Sequence, residues 1–286
     1  MGFVASIDKI ELYQWNPLRP KHKGLLGKIL PKSRVNNFGD LLGPVIVREL
    51  LKKNATRIES STAKPSQRLF SVGSVLHYAR NSDIIWGSGV NGKISQDRYD
   101  FTELDVRAVR GPMTRDFLAQ LGVKSPAIFG DPGLLVNDLW GRDAFYADPK
   151  ARKTLIVPNL NDFPTYDPAD TRVMNPQSPL EECIQRIASA EFVTGSSLHG
   201  IILAESFGIP ARLILPRHET LFKYEDYYLG SGRTKFTPAS DVNHALELGG
   251  ELPLNWEADA LLDAFPYDLW RVEPEKHGQD ARFRTS

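Results

Sequence analysis

The chain has 286 residues, 41% hydrophobic and 24% charged, with 35 basic residues against 35 acidic ones and a formal net charge of zero. Such a length holds one large domain or two of ordinary size, and balanced charge gives no global attraction to nucleic acid. Cys183 is the only cysteine, which excludes an internal disulfide and a cysteine metal site, and no apolar run is long enough to span a bilayer.

The N-terminus lacks a basic region followed by an apolar run, so no secretory leader is expected. Ile7–Trp15 alternates loosely and predicts a first strand. From Leu12 to Gly39 no acidic residue occurs, while Arg19, Lys21, Lys23, Lys28, Lys32 and Arg34 are basic, with Leu25, Leu26, Ile29 and Leu30 interleaved. Residues 16–35 read as a basic loop: either a solvated surface, or a patch suited to anionic headgroups. Asn36-Asn37-Phe38-Gly39-Asp40 is a turn cluster. The apolar spacing after it predicts a helix with Asp40 as its cap and Pro44 in its first turn. That helix start is suited to holding a phosphate or a sugar hydroxyl.

Strands are predicted over Arg68–Val72 and Ile84–Trp86. Gly87-Ser88-Gly89-Val90-Asn91-Gly92 has the spacing of a dinucleotide fingerprint, but residues 93–98 lack the helical period that motif needs. The glycines read instead as a strand-end turn that brings backbone close to a ligand. A strand over Val106–Val109 hands over at Arg110-Gly111-Pro112 to a helix over 113–121, ended by Gly122. The Arg110 guanidinium can grip a carboxylate or phosphate at two points, or tie the loop down. Gly130-Asp131-Pro132-Gly133 is a rigid turn in which Asp131 either orients Arg110 or shapes the turn.

Residues 137–153 lose the apolar period and read as a link. The expected units are therefore 1–140 and 150–270, followed by a flexible tail over 271–286. Thr154–Val157 predicts an edge-like strand, and Glu181–Ala190 a helix with Cys183, Ile184 and Ile187 on one face. Glu191–Pro216 then reads as strand, Gly195-Ser196-Ser197 turn, helix from Leu198 to Phe207, Gly208 stop and strand over Ala211–Leu215. His199 falls in the first turn of that helix, at the carboxyl end of a strand, where open α/β sheets bind ligands and the helix dipole favours an anion. Ser196 or Ser197 is the cap. Arg217 and Lys223 follow the next strand, Lys223 at the start of an amphipathic run through Tyr228. Closing helices are predicted over His244–Leu248 and Asp259–Phe265.

Ser197-Leu198-His199-Gly200 with Ala204–Pro210, together with Asn36–Asp40, Trp86–Gly89, Val109–Pro112, Gly130–Pro132 and Lys223–Tyr227, resembles the polysaccharide pyruvyltransferase family. The match looks closest to the ketal pyruvyltransferases of bacterial exopolysaccharide synthesis, and covers about Asn36 to Tyr228. Some members carry Arg-Leu-His where this chain has Ser197-Leu198-His199, so an anion contact made by that arginine falls to another residue here.

The resemblance implies an α/β fold of two Rossmann-like, doubly wound halves in a GT-B-like arrangement with a cleft between them. It implies phosphoenolpyruvate as donor and co-substrate, a sugar diol on a lipid-linked oligosaccharide as acceptor, and no cofactor or metal. His199 is then the candidate general acid, and Asp40, Asp131 and Asp226 are candidate bases. Asn37, Gly39, Gly87, Ser88, Gly89, Arg110, Ser196, Ser197, Leu198, Arg217 and Lys223 are candidate donor-binding residues. The expected setting is the cytoplasm, with residues 12–39 touching the inner face of the cytoplasmic membrane. Two other readings compete: a GT-B glycosyltransferase gripping a ribose through Glu205 or Glu219, and a non-catalytic module of polysaccharide assembly.

Overall fold

The computed structural model describes residues 3–7, 9–20, 31–54, 67–146 and 153–270. Strands β1 (Phe3–Ile7) and β2 (Ile10–Gln14) form an antiparallel hairpin. Short strands β3 (Leu18–Pro20) and β4 (Lys32–Arg34) pair as a separate antiparallel ribbon. Helix α1 (Phe38–Lys53) follows, then β5 (Arg68–Phe70), β6 (Ile84–Trp86) and β7 (Asp105–Ala108). The first sheet has the order β1-β2-β5-β6-β7 and is parallel from β2 onward. A second parallel sheet holds β8 (Thr154–Ile156), β9 (Phe192–Gly195) and β10 (Ala211–Leu213), with β9 central. The fold is mixed α/β with largely parallel sheets.

Alternation along each strand gives the first sheet two covered faces. Leu69, Ile84 and Trp86 point to the side of α1, which buries Phe38, Leu42, Ile46, Val47 and Leu50 at helical spacing. Phe70 and Ile85 point the other way, toward Leu76, Tyr99 and Leu118 of α2 (Pro112–Gln120). Elements thus lie on both faces of the first sheet. The strand order is nevertheless sequential in both sheets and contains no reversal, so neither sheet has an internal switch point of the Rossmann kind. The apolar layer on the α1 side continues without a break into Leu155, Val193, Ile201 and Leu203 of the second sheet.

The remaining helices are α3 (Val136–Trp140), α4 (Leu180–Ala188), α5 (Leu198–Ser206), α6 (Phe222–Gly230), α7 (Val242–Leu248) and α8 (Asp259–Asp263). The last described segment returns to the first sheet. Trp86 Nε1 donates to the Leu261 carbonyl at 2.8 Å, Trp256 Nε1 to the Phe129 carbonyl at 2.8 Å, and Phe265 meets the Trp86 ring edge-on at 4.9 Å.

Three local expectations change. The first strand is a hairpin, because Ile7 pairs with Ile10 across a tight turn. Asn37, not Asp40, holds the N-cap position of α1; Asp40 lies in the first turn and Pro44 inside the helix, where it removes a backbone donor. The basic stretch is partly a strand ribbon, and its residues 21–30, like the tail 271–286, lie outside the described residues. Among the described residues no helix is long and apolar enough to cross a membrane.

Candidate active site

The carboxyl ends of both sheets open on one cleft of about 400 Å³. Trp15 follows β2, Ser74 follows β5, and Asn91 and Lys93 follow β6; Asn159 and Asn161 follow β8, and Glu219 follows β10. The first turns of α1 and α5 complete the wall with Asn37, Asp40, Leu198 and His199, and α6 adds Lys223. Strand-end loops converge here because parallel strands all deliver their chains to the same side.

Ser197 caps α5 by accepting from the Gly200 amide at 3.2 Å, which fixes His199 in the first turn. The imidazole lies directly on Gly39 of α1: a Cβ built there would stand 2.2 Å from His199 Nδ1. The side chain is 12% exposed, and its Nε2 faces Asp131 Oδ2 at 3.9 Å, beyond hydrogen-bond range. Both atoms are buried, and neither has a hydrogen-bond partner among the described residues. Burial, reinforced by Lys223 and Arg110, pushes the imidazole pKa down to about 3, so it is neutral at pH 7. Burial pushes Asp131 up to about 6. It does the same to Asp40, to about 6, against the pull of Asn37, whose Nδ2 donates to Asp40 Oδ2 at 2.7 Å. The cleft therefore sets a proton-accepting imidazole beside carboxyl groups able to hold and release protons near neutrality.

The positive charge at this wall comes from lysines that share one carboxylate. Glu219 accepts from Lys93 Nζ at 2.5 Å, Lys223 Nζ at 3.0 Å and Asn161 Nδ2 at 3.0 Å. Lys93 and Lys223 thus bring two ammonium groups to a wall whose carboxylates are Glu219 and, above about pH 6, Asp40.

Asn37, Ser197, Leu198, His199, Asp40 and Lys223 thus line the cleft, and Gly39 lies directly behind His199. Other expected donor contacts do not reach it. Arg110 is 1% exposed, with its guanidinium spent on Asp226 Oδ2 at 3.0 Å, Ser74 Oγ at 2.6 Å and the Val90 carbonyl at 2.8 Å. Asp226 is equally occupied, accepting also from the Thr114 amide and hydroxyl, which removes it as a candidate base. Gly87 makes its close approach to Pro132 and Gly89 to Arg110, and the buried Ser88 hydroxyl donates to the Gly73 carbonyl at 2.8 Å. These three therefore pack the floor behind the cleft. Ser196 is buried and anchors the neighbouring loop through Asn159. Arg217 is exposed outside the cleft, its backbone amide tied to Asp162. Glu205 is locked by Arg233 at 2.7 Å and by Tyr227.

Sequence reasoning passed over Asn91, Lys93, Asn159, Asn161 and the ring wall of Trp15, His77 and Tyr78. Several were findable by the rule that found His199, since Asn91, Lys93 and Asn159 follow the carboxyl ends of recognised strands.

A family model described as polysaccharide pyruvyl transferase matches residues 37–218. The chain is 29% identical over 174 residues to the succinoglycan biosynthesis protein ExoV of Rhizobium meliloti (strain 1021), covering 57% of this chain and 53% of that protein. It is 26% identical over 187 residues to the uncharacterized protein L143 of Acanthamoeba polyphaga mimivirus, covering 61% and 62%. The chain thus matches 53% and 62% of the lengths of these two relatives. A crystal structure of a functionally uncharacterized Klebsiella pneumoniae protein aligns with 72% of this chain and 89% of its own, at 15% identity and a TM-score of 0.41.

Proposed function

The chain belongs to the polysaccharide pyruvyl transferase family, and from that membership we propose that it transfers a pyruvyl group from phosphoenolpyruvate to two hydroxyls of a sugar in an exopolysaccharide repeat unit. The product is a cyclic pyruvate ketal and the leaving group is phosphate. The acceptor is lipid-linked, and residues 12–39 bring the protein to the membrane surface where that lipid lies. Units 1–140 and 150–270 act as the two sides of a GT-B-like cleft. The observation that carries the reading is that two distant parts of the matched span, the first turns of α1 and α5, meet in one cleft through Gly39 and His199.

The donor brings a carboxylate and a phosphate, which the Lys93–Lys223 site and the two helix starts attract. The enol double bond takes a proton at its methylene carbon, leaving oxocarbenium character at C2. A sugar hydroxyl adds to C2 and gives up its proton. Phosphate departs with the electrons of its C–O bond. The second hydroxyl closes the ring, and its proton leaves with the phosphate. Asp40, at about 6, supplies the proton to carbon. His199, neutral, accepts from the attacking hydroxyl. This reverses the order of roles expected from sequence, because burial favours a protonated carboxyl and an unprotonated imidazole.

Thermal unfolding with millimolar phosphoenolpyruvate, beside parallel samples with UDP-, GDP- and CMP-sugars, tests the donor. A ligand at about a hundred times its dissociation constant adds about 2.7 kcal/mol, enough to move the midpoint by a few degrees. The expected result is a shift with phosphoenolpyruvate alone. A shift with a nucleotide sugar and none with phosphoenolpyruvate replaces pyruvyl transfer with glycosyl transfer.

A further inference from the structure

Part of the cleft wall on the side of the first sheet differs in kind from the lysines that meet at Glu219. It is built from rings. Tyr78 is 40% exposed, with His77 tilted against it at 4.0 Å and Tyr13 behind it at 5.7 Å between centroids. Arg19 lies over the Trp15 ring at 5.2 Å, which leaves Tyr78 as the open aromatic surface. Two polar atoms of cleft-lining residues lack partners: His77 Nδ1 and Asn91 Oδ1 are buried, and neither has a hydrogen-bond partner among the described residues. Both residues line the cleft.

A buried polar atom without a partner costs free energy that a ligand recovers by pairing it. The chemistry of these two atoms restricts that ligand. A carboxamide offers an accepting oxygen and a donating NH2, a pair that a hydroxyl, both donor and acceptor, satisfies. Burial, with Arg98 nearby, holds His77 below its ordinary pKa, so its ring is neutral and also pairs with a hydroxyl. An aromatic face next to hydroxyl-seeking atoms suits a molecule with an apolar C–H face and a polar rim, which describes a pyranose ring.

We infer that Tyr78, His77 and Asn91 form a sugar subsite, in which a pyranose lies on the Tyr78 ring and places ring hydroxyls on His77 Nδ1 and Asn91 Oδ1. The donor anion goes to Lys93 and Lys223, and a sugar held on Tyr78 in the same cleft presents its remaining hydroxyls toward Asp40 and His199. Its role as the acceptor end rests on the pyruvyl-transfer reading; its affinity for a sugar does not.

Saturation-transfer NMR with methyl α-D-glucopyranoside and methyl β-D-galactopyranoside tests the subsite, with the phosphoenolpyruvate-induced thermal shift measured on the same samples. Wild type is expected to transfer saturation to at least one glycoside, most strongly to the protons of one ring face. Tyr78→Ala removes an exposed ring and leaves the fold intact; it is expected to weaken glycoside binding by about tenfold, while Tyr78→Phe retains it. Asn91→Ala is expected to weaken it as well, and all three variants keep the wild-type response to phosphoenolpyruvate. Unchanged glycoside binding in both alanine variants overturns the subsite. So does absence of any glycoside signal in wild type, or loss of the phosphoenolpyruvate response with glycoside binding intact. Glycoside binding that follows these variants in a protein indifferent to phosphoenolpyruvate upholds the subsite and removes the pyruvyl-transfer reading.

Discussion

His199 and Asp40 owe their proton affinities to the same burial, acting in opposite directions. His199→Ala is expected to lower turnover by roughly two to four orders of magnitude in a protein that still unfolds cooperatively; a near-normal rate removes its acid–base role. Asp40 makes a prediction about stability. Its carboxyl is raised from 3.8 to about 6, so the stability it contributes is fully present below pH 4 and is lost as pH rises through 6. Asp40→Asn removes that dependence. The variant is expected to melt above wild type at pH 7.5, by an amount bounded at about 3 kcal/mol, and to lose the advantage below pH 4, as read from unfolding midpoints across pH. His199 was legible because it stands where a strand hands over to a helix. Arg110 stands in the same position in sequence and turns out to be buried. Nothing local distinguishes the two, because the partner that decides it, Asp226, lies 116 residues away.

At the scale of elements, the site depends on α1 and α5 meeting with almost no space between them. Gly39 is a poor helix former in the first turn of α1, and alanine there improves propensity by about 1 kcal/mol. Its Cβ, however, stands 2.2 Å from His199 Nδ1 and 2.8 Å from His199 Cβ. Gly39→Ala is therefore expected to destabilise wild type by about 1–3 kcal/mol through overpacking, and to be neutral or stabilising in a His199→Ala background. A double-mutant cycle by urea unfolding measures that coupling; additive effects would show that the two helices do not touch here. Most strands and helices were legible from hydrophobic period, within a residue or two at their ends. The β1–β2 hairpin was not, because a single alternating run carries no mark of where it folds on itself. The order of strands was also hidden, since it depends on which crossover covers which face.

Across the whole molecule, Arg110 joins the loops after β5 and β6 to α6 through Asp226. Arg110→Ala leaves Asp226 buried without its cation, and is expected to cost about 3–5 kcal/mol in urea unfolding. The apolar layer that runs unbroken between the sheets makes the halves unfold together, so calorimetry is expected to show one transition whose calorimetric and van't Hoff enthalpies agree. Two resolved transitions would mean that the halves hold separate cores. The return of the last segment to Trp86 bears on how the chain is made. Trp86 and Leu261 are 175 residues apart, so at about 5–20 residues per second the ribosome delivers the second about 9–35 s after the first. The sheet translated first is thus the one covered last, and in the interval the indole face later covered by Phe265 lies open to whatever meets a nascent chain.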